Sequence, residues 1–214
     1  MTDAIILHAH LRPPLSCPSW QGALLRALPY AQRLELERRE PHARRASLAG
    51  LGLVLVGAAR ITQREFPPQA FTFPLAGKPQ LAGGPPFSIS HSASRVTCIV
   101  CADSDCGIDI EDRPDAAESA TVAKLRRWTA TEAALKAAGL GLRAADEVAL
   151  ADLLEYAIVR GRRYELQALD DLPGVIGHVA AGKKLRPVIV PVALDDAPAS
   201  ALLERSFGLA AQIE

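Results

Sequence analysis

Apolar and polar residues change rhythm several times along this chain. Residues 4–11, AIILHAHL, are mostly apolar and predict a first strand. Pro13, Pro14 and Pro18 then break the pattern. Helical spacing takes over across 21–28 and 31–39, with Pro29 and Pro41 as punctuation. A third helical stretch covers 42–60 and opens on the basic pair Arg44 and Arg45. Residues 71–75 predict a short strand, and AGKPQLAGGPP after them predicts a loop with turn residues at Gly77, Pro79, Gly83 and Gly84. The stretch FSISHSASRVTCIVCADSDCGIDIED, residues 87–112, reads as two short strands joined by a turn. It places a Ser-His pair before the first strand and Asp109 and Glu111 at the tip of the second.

The grain changes near Cys106. A strong helical pattern runs over 117–138 and is stopped by Gly139 and Gly141. YAIVRGRRYELQALDD, GVIGHVAA and PVIVPVAL beyond it predict strands of an antiparallel sheet, with Arg160-Gly161-Arg162 as a tight turn. Each half then holds helices and a small sheet. The expected class is α+β, divided into residues 1–105 and 106–214.

Composition narrows the functional classes. The chain has 214 residues, 49% of them apolar and 22% charged, which is ordinary globular usage. Its 24 basic and 24 acidic residues cancel, so no global field favours nucleic acid or an anionic membrane. Any anion site must be local. The longest apolar runs are short and broken by Gly, which argues against a membrane span. The first residues lack the basic region of a secretory signal, so the expected location is cytoplasmic. Cys17, Cys98, Cys101 and Cys106 form no zinc pattern. The pair Cys98 and Cys101 lies in a strand, where a spacing of three points the thiols to opposite faces, as for buried small hydrophobes.

The candidate chemistry centres on carboxylates. Asp109 and Glu111 are two apart in a strand and leave one face, while Ile108 and Ile110 leave the other. Held this close, the two charges need a cation or a proton between them. Oxygen ligands suit Mg²⁺ or Mn²⁺, although a solvated strand end is the plain alternative. Glu132 and Lys136 share one helix face and read either as a surface ion pair or, among Trp128, Ala133, Leu135 and Ala137, as catalytic groups. Lys78 on its turn, Ser90 and His91, and the pair Arg44 and Arg45 are candidate anion contacts.

In this order, GKP, FSISHS, CGIDIED and WTATEAALKAAGLGL closely resemble the 4′-phosphopantetheinyl transferases of the kind that activate surfactin synthetase. The resemblance covers about residues 71–142. It implies two similar α+β halves with the active site in the cleft between them, coenzyme A phosphates bound by the first and metal by the second. It also implies transfer of the phosphopantetheine arm of coenzyme A to a serine of an apo acyl or peptidyl carrier protein, by a monomer using Mg²⁺. Asp109, Glu111 and Glu132 would hold the metal, and Glu132 would also act as general base. Lys136 would serve the leaving group. Lys78, Ser90 and His91 would contact phosphates, and Arg44 or Arg45 the 3′-phosphate.

Two departures stand out. Thr131 occupies a position that is often basic in the family. Only residues 112–127 separate Glu111 from Trp128, shorter than the usual connector with its extra helix. The cluster Lys124, Arg126 and Arg127 is a candidate replacement in carrier docking. Other classes open to the same residues are a different metal-dependent phosphodiesterase or nuclease, and a non-catalytic coenzyme A-binding relative.

Overall fold

The structure, a computed structural model, describes residues 1–11, 19–75, 77–115 and 118–194. In chain order it contains β1 (Thr2–His10), α1 (Ser19–Ala27), α2 (Tyr30–Arg38), α3 (Pro41–Thr62), β2 (Phe71–Thr72), β3 (Gln80–Leu81), β4 (Phe87–His91) and β5 (Arg95–Cys101). It continues with β6 (Cys106–Asp112), α4 (Ser119–Ala138), β7 (Val148–Leu150), β8 (Tyr156–Val159), β9 (Arg162–Ala168), β10 (Val175–Ala181) and β11 (Leu185–Pro191). The class is α+β. One sheet has the order β11-β1-β5-β4, a second β6-β10-β9-β8-β7, and β2 and β3 form a small pair.

Alternation along the strands explains the layering. On β1, Ile5, Leu7 and Ala9 join a core with α1, α2 and α3, while Ala4 and Ile6 face the second sheet. On β5, Val96, Cys98 and Val100 take the helix side, and Ile99 and Cys101 take the other. The two cysteines thus lie on opposite faces as their spacing predicts, both buried with free thiols; Cys17 lies outside the described residues. A third core packs Ala133, Ala134 and Ala137 of α4 on Ala157, Val159, Tyr164 and Ala180 of the second sheet. The sequence of layers is helices, sheet, sheet, helix. α3 has the length and mean hydropathy, 1.3, to cross a membrane, but 67% of that stretch is buried, largely against the first sheet.

Several sequence expectations change. Residues 87–112 hold three strands, because Ser92-Ala93-Ser94 makes a hairpin between β4 and β5. Ser90 and His91 therefore end a strand of their own. The expected strand at 71–75 shrinks to Phe71–Thr72, and the expected loop after it contains β3, whose Gln80 and Leu81 pair with Thr72 and Phe71. The largest change is β11. It does not join β8, β9 and β10 but pairs parallel with β1, Thr2 opposite Leu185 and His8 opposite Pro191, across the division expected at Cys106. The turn between β8 and β9 stands as predicted. Arg160 and Gly161 take φ of 49° and 78°, as a two-residue hairpin requires.

Candidate functional site

The site begins where edge strands of the two sheets meet. β4 and β6 are not joined by a backbone ladder; alternate serines of β4 bridge them. Ser88 Oγ accepts the amide of Ile108 at 3.3 Å, and Ser90 Oγ accepts that of Ile110 at 3.3 Å. Ser90 in turn donates to Asp109 Oδ1 at 2.8 Å, and Ser92 donates to Asp112 Oδ1 at 2.6 Å. Period two puts these hydroxyls on one side of the strand, which is what FSISHS encodes. Ser90 is thus committed to β6 and Asp109.

Gly107 brings α4 onto β6. A Cβ at this position would stand 2.0 Å from the carbonyl oxygen of Ala133 and 2.5 Å from the amide of Ala137. With alanines facing the strand, the helix lies close enough for Lys136 Nζ to donate to Asp109 Oδ1 at 2.6 Å and to the Ile108 carbonyl at 3.2 Å. Glu132 Oε2 is 4.0 Å from the same ammonium. Lys136 is therefore anchored to β6 and does not make an ordinary surface helix pair. Gly139 ends α4 in the left-handed region, φ 71°, with Leu140 N–H returning to the Leu135 carbonyl.

Asp109 is 4% exposed, and its Oδ2 is buried with no hydrogen-bond partner. That overturns the plain alternative of a solvated strand end. Three carboxylates face one ammonium. Burial, then the charge of Asp109, holds the Glu132 carboxyl above the usual range, with Lys136 opposing. Burial, Asp109 and Asp112 do the same to Glu111, opposed by Lys136 and a hydrogen bond from Trp128. A buried acceptor without a donor beside two carboxyls that resist ionisation is a place short of positive charge. Among the described residues no three His, Cys, Asp or Glu side chains form a ready cation cage, and Lys136 occupies Asp109 Oδ1.

An open basin of about 340 Å³ adjoins this junction, lined by Arg39, Ser47, Phe73, Gly77, Ile89 and His91 among others. Burial lowers the His91 pKa first, then Lys136, His42 and Arg39, so the ring is neutral near pH 7 and offers a donor without a charge. Lys78 does not line this basin. Its ammonium donates to the Cys106 carbonyl at 2.5 Å, next to a smaller cavity. Neither Arg44 nor Arg45 lines it either, and Nε and Nη2 of Arg45 are buried without partners. The guanidinium in the basin belongs to Arg39, which donates to Ser47 Oγ at 3.0 Å and pairs with Glu35.

Sequence reasoning missed Arg39 and Ser47. Arg39 is one of several arginines after α2, and Ser47 bonds back to the Ala43 carbonyl like any helical serine. It also missed His178, which is buried, stands opposite Asp109 across the β6–β10 pairing, and has Nδ1 2.8 Å from Thr129 Oγ1. Arg126 is drawn away from Lys124 and Arg127 by Asp170 at 2.8 Å. No model of a known protein family matches the chain, and no curated protein does.

Proposed function

We propose that the protein transfers the 4′-phosphopantetheine arm of coenzyme A to a serine of an apo carrier protein, releasing adenosine 3′,5′-bisphosphate. The observation that carries this reading is the β4–β6–α4 junction. It combines a buried unpartnered carboxylate oxygen, two carboxyls with raised pKa and an anchored lysine, beside a basin that holds an arginine and a neutral histidine. This combination supports the reading because phosphoryl chemistry needs a cation site next to an anion site.

Asp109, Glu111 and Glu132 supply the oxygen donors that Mg²⁺ or Mn²⁺ takes and would hold the ion, although no preformed cage brings the three together, and the ion would draw charge from the diphosphate oxygens. Glu132, whose carboxyl binds a proton more readily than usual, takes the proton of the acceptor serine. The serine oxygen attacks the phosphorus that carries the pantetheine arm. The bond to the bridging oxygen breaks, and its electrons leave with adenosine 3′,5′-bisphosphate, where Lys136 neutralises the new charge. Arg39 and His91 take the remaining phosphate oxygens.

The test is intact-mass measurement of candidate apo-carriers incubated with protein, coenzyme A and Mg²⁺. The expected result is a gain of one phosphopantetheine arm. Glu132→Gln should lower turnover by about 10²-fold or more, the scale of a general base, with coenzyme A affinity little changed. Coenzyme A binding with no mass gain on any carrier sinks the proposal.

A further inference from the structure

α4 meets the second sheet through small side chains. Ala130, Ala133, Ala134 and Ala137 are buried, and with Gly107 beneath them they bring the helix close to the strands. Methyl groups raise no ridge deep enough to lock into a groove, so packing of this kind fixes the distance of the helix but not its place along the strands.

Two polar ties cross the alanine surface. One joins Lys136 to Asp109 of β6. The other lies about two turns earlier, where Thr129 Oγ1 stands 2.8 Å from Nδ1 of His178 on β10. Both partners are buried, Thr129 at 0% and His178 at 1% exposure. Asp109 and His178 are direct partners in the β6–β10 register and share the face that α4 covers. Glu132 sits between the ties, three residues after Thr129 and four before Lys136, and therefore on the same side of the helix. Either tautomer of the ring keeps the second tie. With its proton on Nε2, His178 accepts the Thr129 hydroxyl; with its proton on Nδ1, it donates, and the hydroxyl turns to the Arg126 carbonyl at 3.2 Å. His178 does not line the basin, so it acts through the helix.

We infer that Thr129 and His178 are positioning residues that set the height and rotation of Glu132 over β6, as the second of two pins beside Lys136–Asp109. The inference rests on the transfer reading above, in which Glu132 takes the serine proton. A reacting group displaced by about 1 Å loses on the order of 10²-fold in rate, so a pin one turn away is felt at the carboxylate.

The experiment has two arms and four variants. Thr129→Val keeps the shape and removes the hydroxyl, and Thr129→Ser keeps the hydroxyl. His178→Leu removes the ring nitrogens, and His178→Asn keeps a polar atom in the place of Nδ1. The first arm is native-state amide hydrogen exchange, which needs no substrate. Thr129→Val and His178→Leu should speed exchange over 126–133 by about tenfold or more. Residues 134–138, held by Lys136, should keep the wild-type rate, and the Ser and Asn variants should follow wild type throughout. No change, or equal acceleration across the whole fold, overturns the inference. In the second arm, transfer is measured well below the thermal midpoint. Thr129→Val should lower kcat by about ten- to a hundredfold at constant coenzyme A KM, because Arg39 and His91 lie outside α4. Thr129→Ser should restore it. Thr129→Val combined with His178→Leu should lose no more than either alone, as the two halves of one bond do. Additive losses, or a normal kcat despite faster exchange, overturn the positioning role and leave transfer intact. A wild type that transfers to no carrier overturns the transfer reading and the role given to the pin, while the exchange result still reports on the helix.

Discussion

Asp109 is a residue held in tension. One carboxylate oxygen satisfies Ser90 and Lys136, and the other is buried with no donor. Asp109→Ala should therefore act twice. It strands a part-buried ammonium and a buried hydroxyl, so stability should fall by about 1–3 kcal/mol in denaturant titration. It should also abolish any rise of the thermal midpoint that millimolar Mg²⁺ gives wild type near neutral pH. An Mg²⁺ shift that survives the substitution places the cation elsewhere. The motif residues Asp109, Glu111, Glu132 and Lys136 were legible because type and spacing alone mark them. Their burial was not, since it takes β4 on one side and α4 on the other to cover a strand end. Arg39 was illegible for a related reason: only the chain path decides which of several arginines faces a basin.

The seating of α4 on β6 depends on one missing methylene. Gly107→Ala would put a carbon 2.0 Å from a helix carbonyl oxygen, against backbone that has no rotamer to change. The helix must lift, which should cost at least about 1–3 kcal/mol as overpacking does and pull Lys136 off Asp109. The expected result is a large loss of transfer together with a lowered thermal midpoint. Near-normal values of both would mean that the helix position is not what organises the site. The helix itself was readable to within two residues of its start and ended at the predicted Gly139. Its inner surface was harder to read, because its buried residues are alanines and Thr129 with Leu135 alone in place of a bulky stripe. The hairpin after His91 was also hidden, since the apolar run of β5 continues the pattern of β4. Strand partners were the least visible: PVIVPVAL alternates equally well beside β10 or beside β1, and local pattern carries no information on that choice.

Acid stability belongs to the molecule as a whole. His8 and His178 sit on β1 and β10, one in each sheet, and burial first, then neighbouring Arg95 or Arg126, lowers both pKa values from 6.5 to about 4. The native rings stay neutral while those of the unfolded chain take up protons. The stability these histidines contribute is therefore present above pH 6.5 and is lost as pH falls toward 4. The carboxyls of Glu111 and Glu132 act in the opposite sense over part of that range, so the clean measurement is a difference. The stability of wild type relative to His178→Asn should fall with decreasing pH between those limits, by up to about 1.4 kcal/mol per unit. A difference that is flat with pH would mean that His178 is protonated in the native state.

The parallel pairing of β1 with β11 has a consequence for biosynthesis. During synthesis β1 can pair with β5 once residues 95–101 have emerged, yet its other edge stays unsatisfied until residues 185–191 follow. At usual elongation rates that interval is on the order of ten seconds. Throughout it, the nascent chain presents the open, apolar edge AIILHA, the kind of strand that invites pairing with another polypeptide. A ribosome-bound chain stalled before Leu185 should therefore aggregate or recruit chaperones in a way that a chain extending past β11 does not.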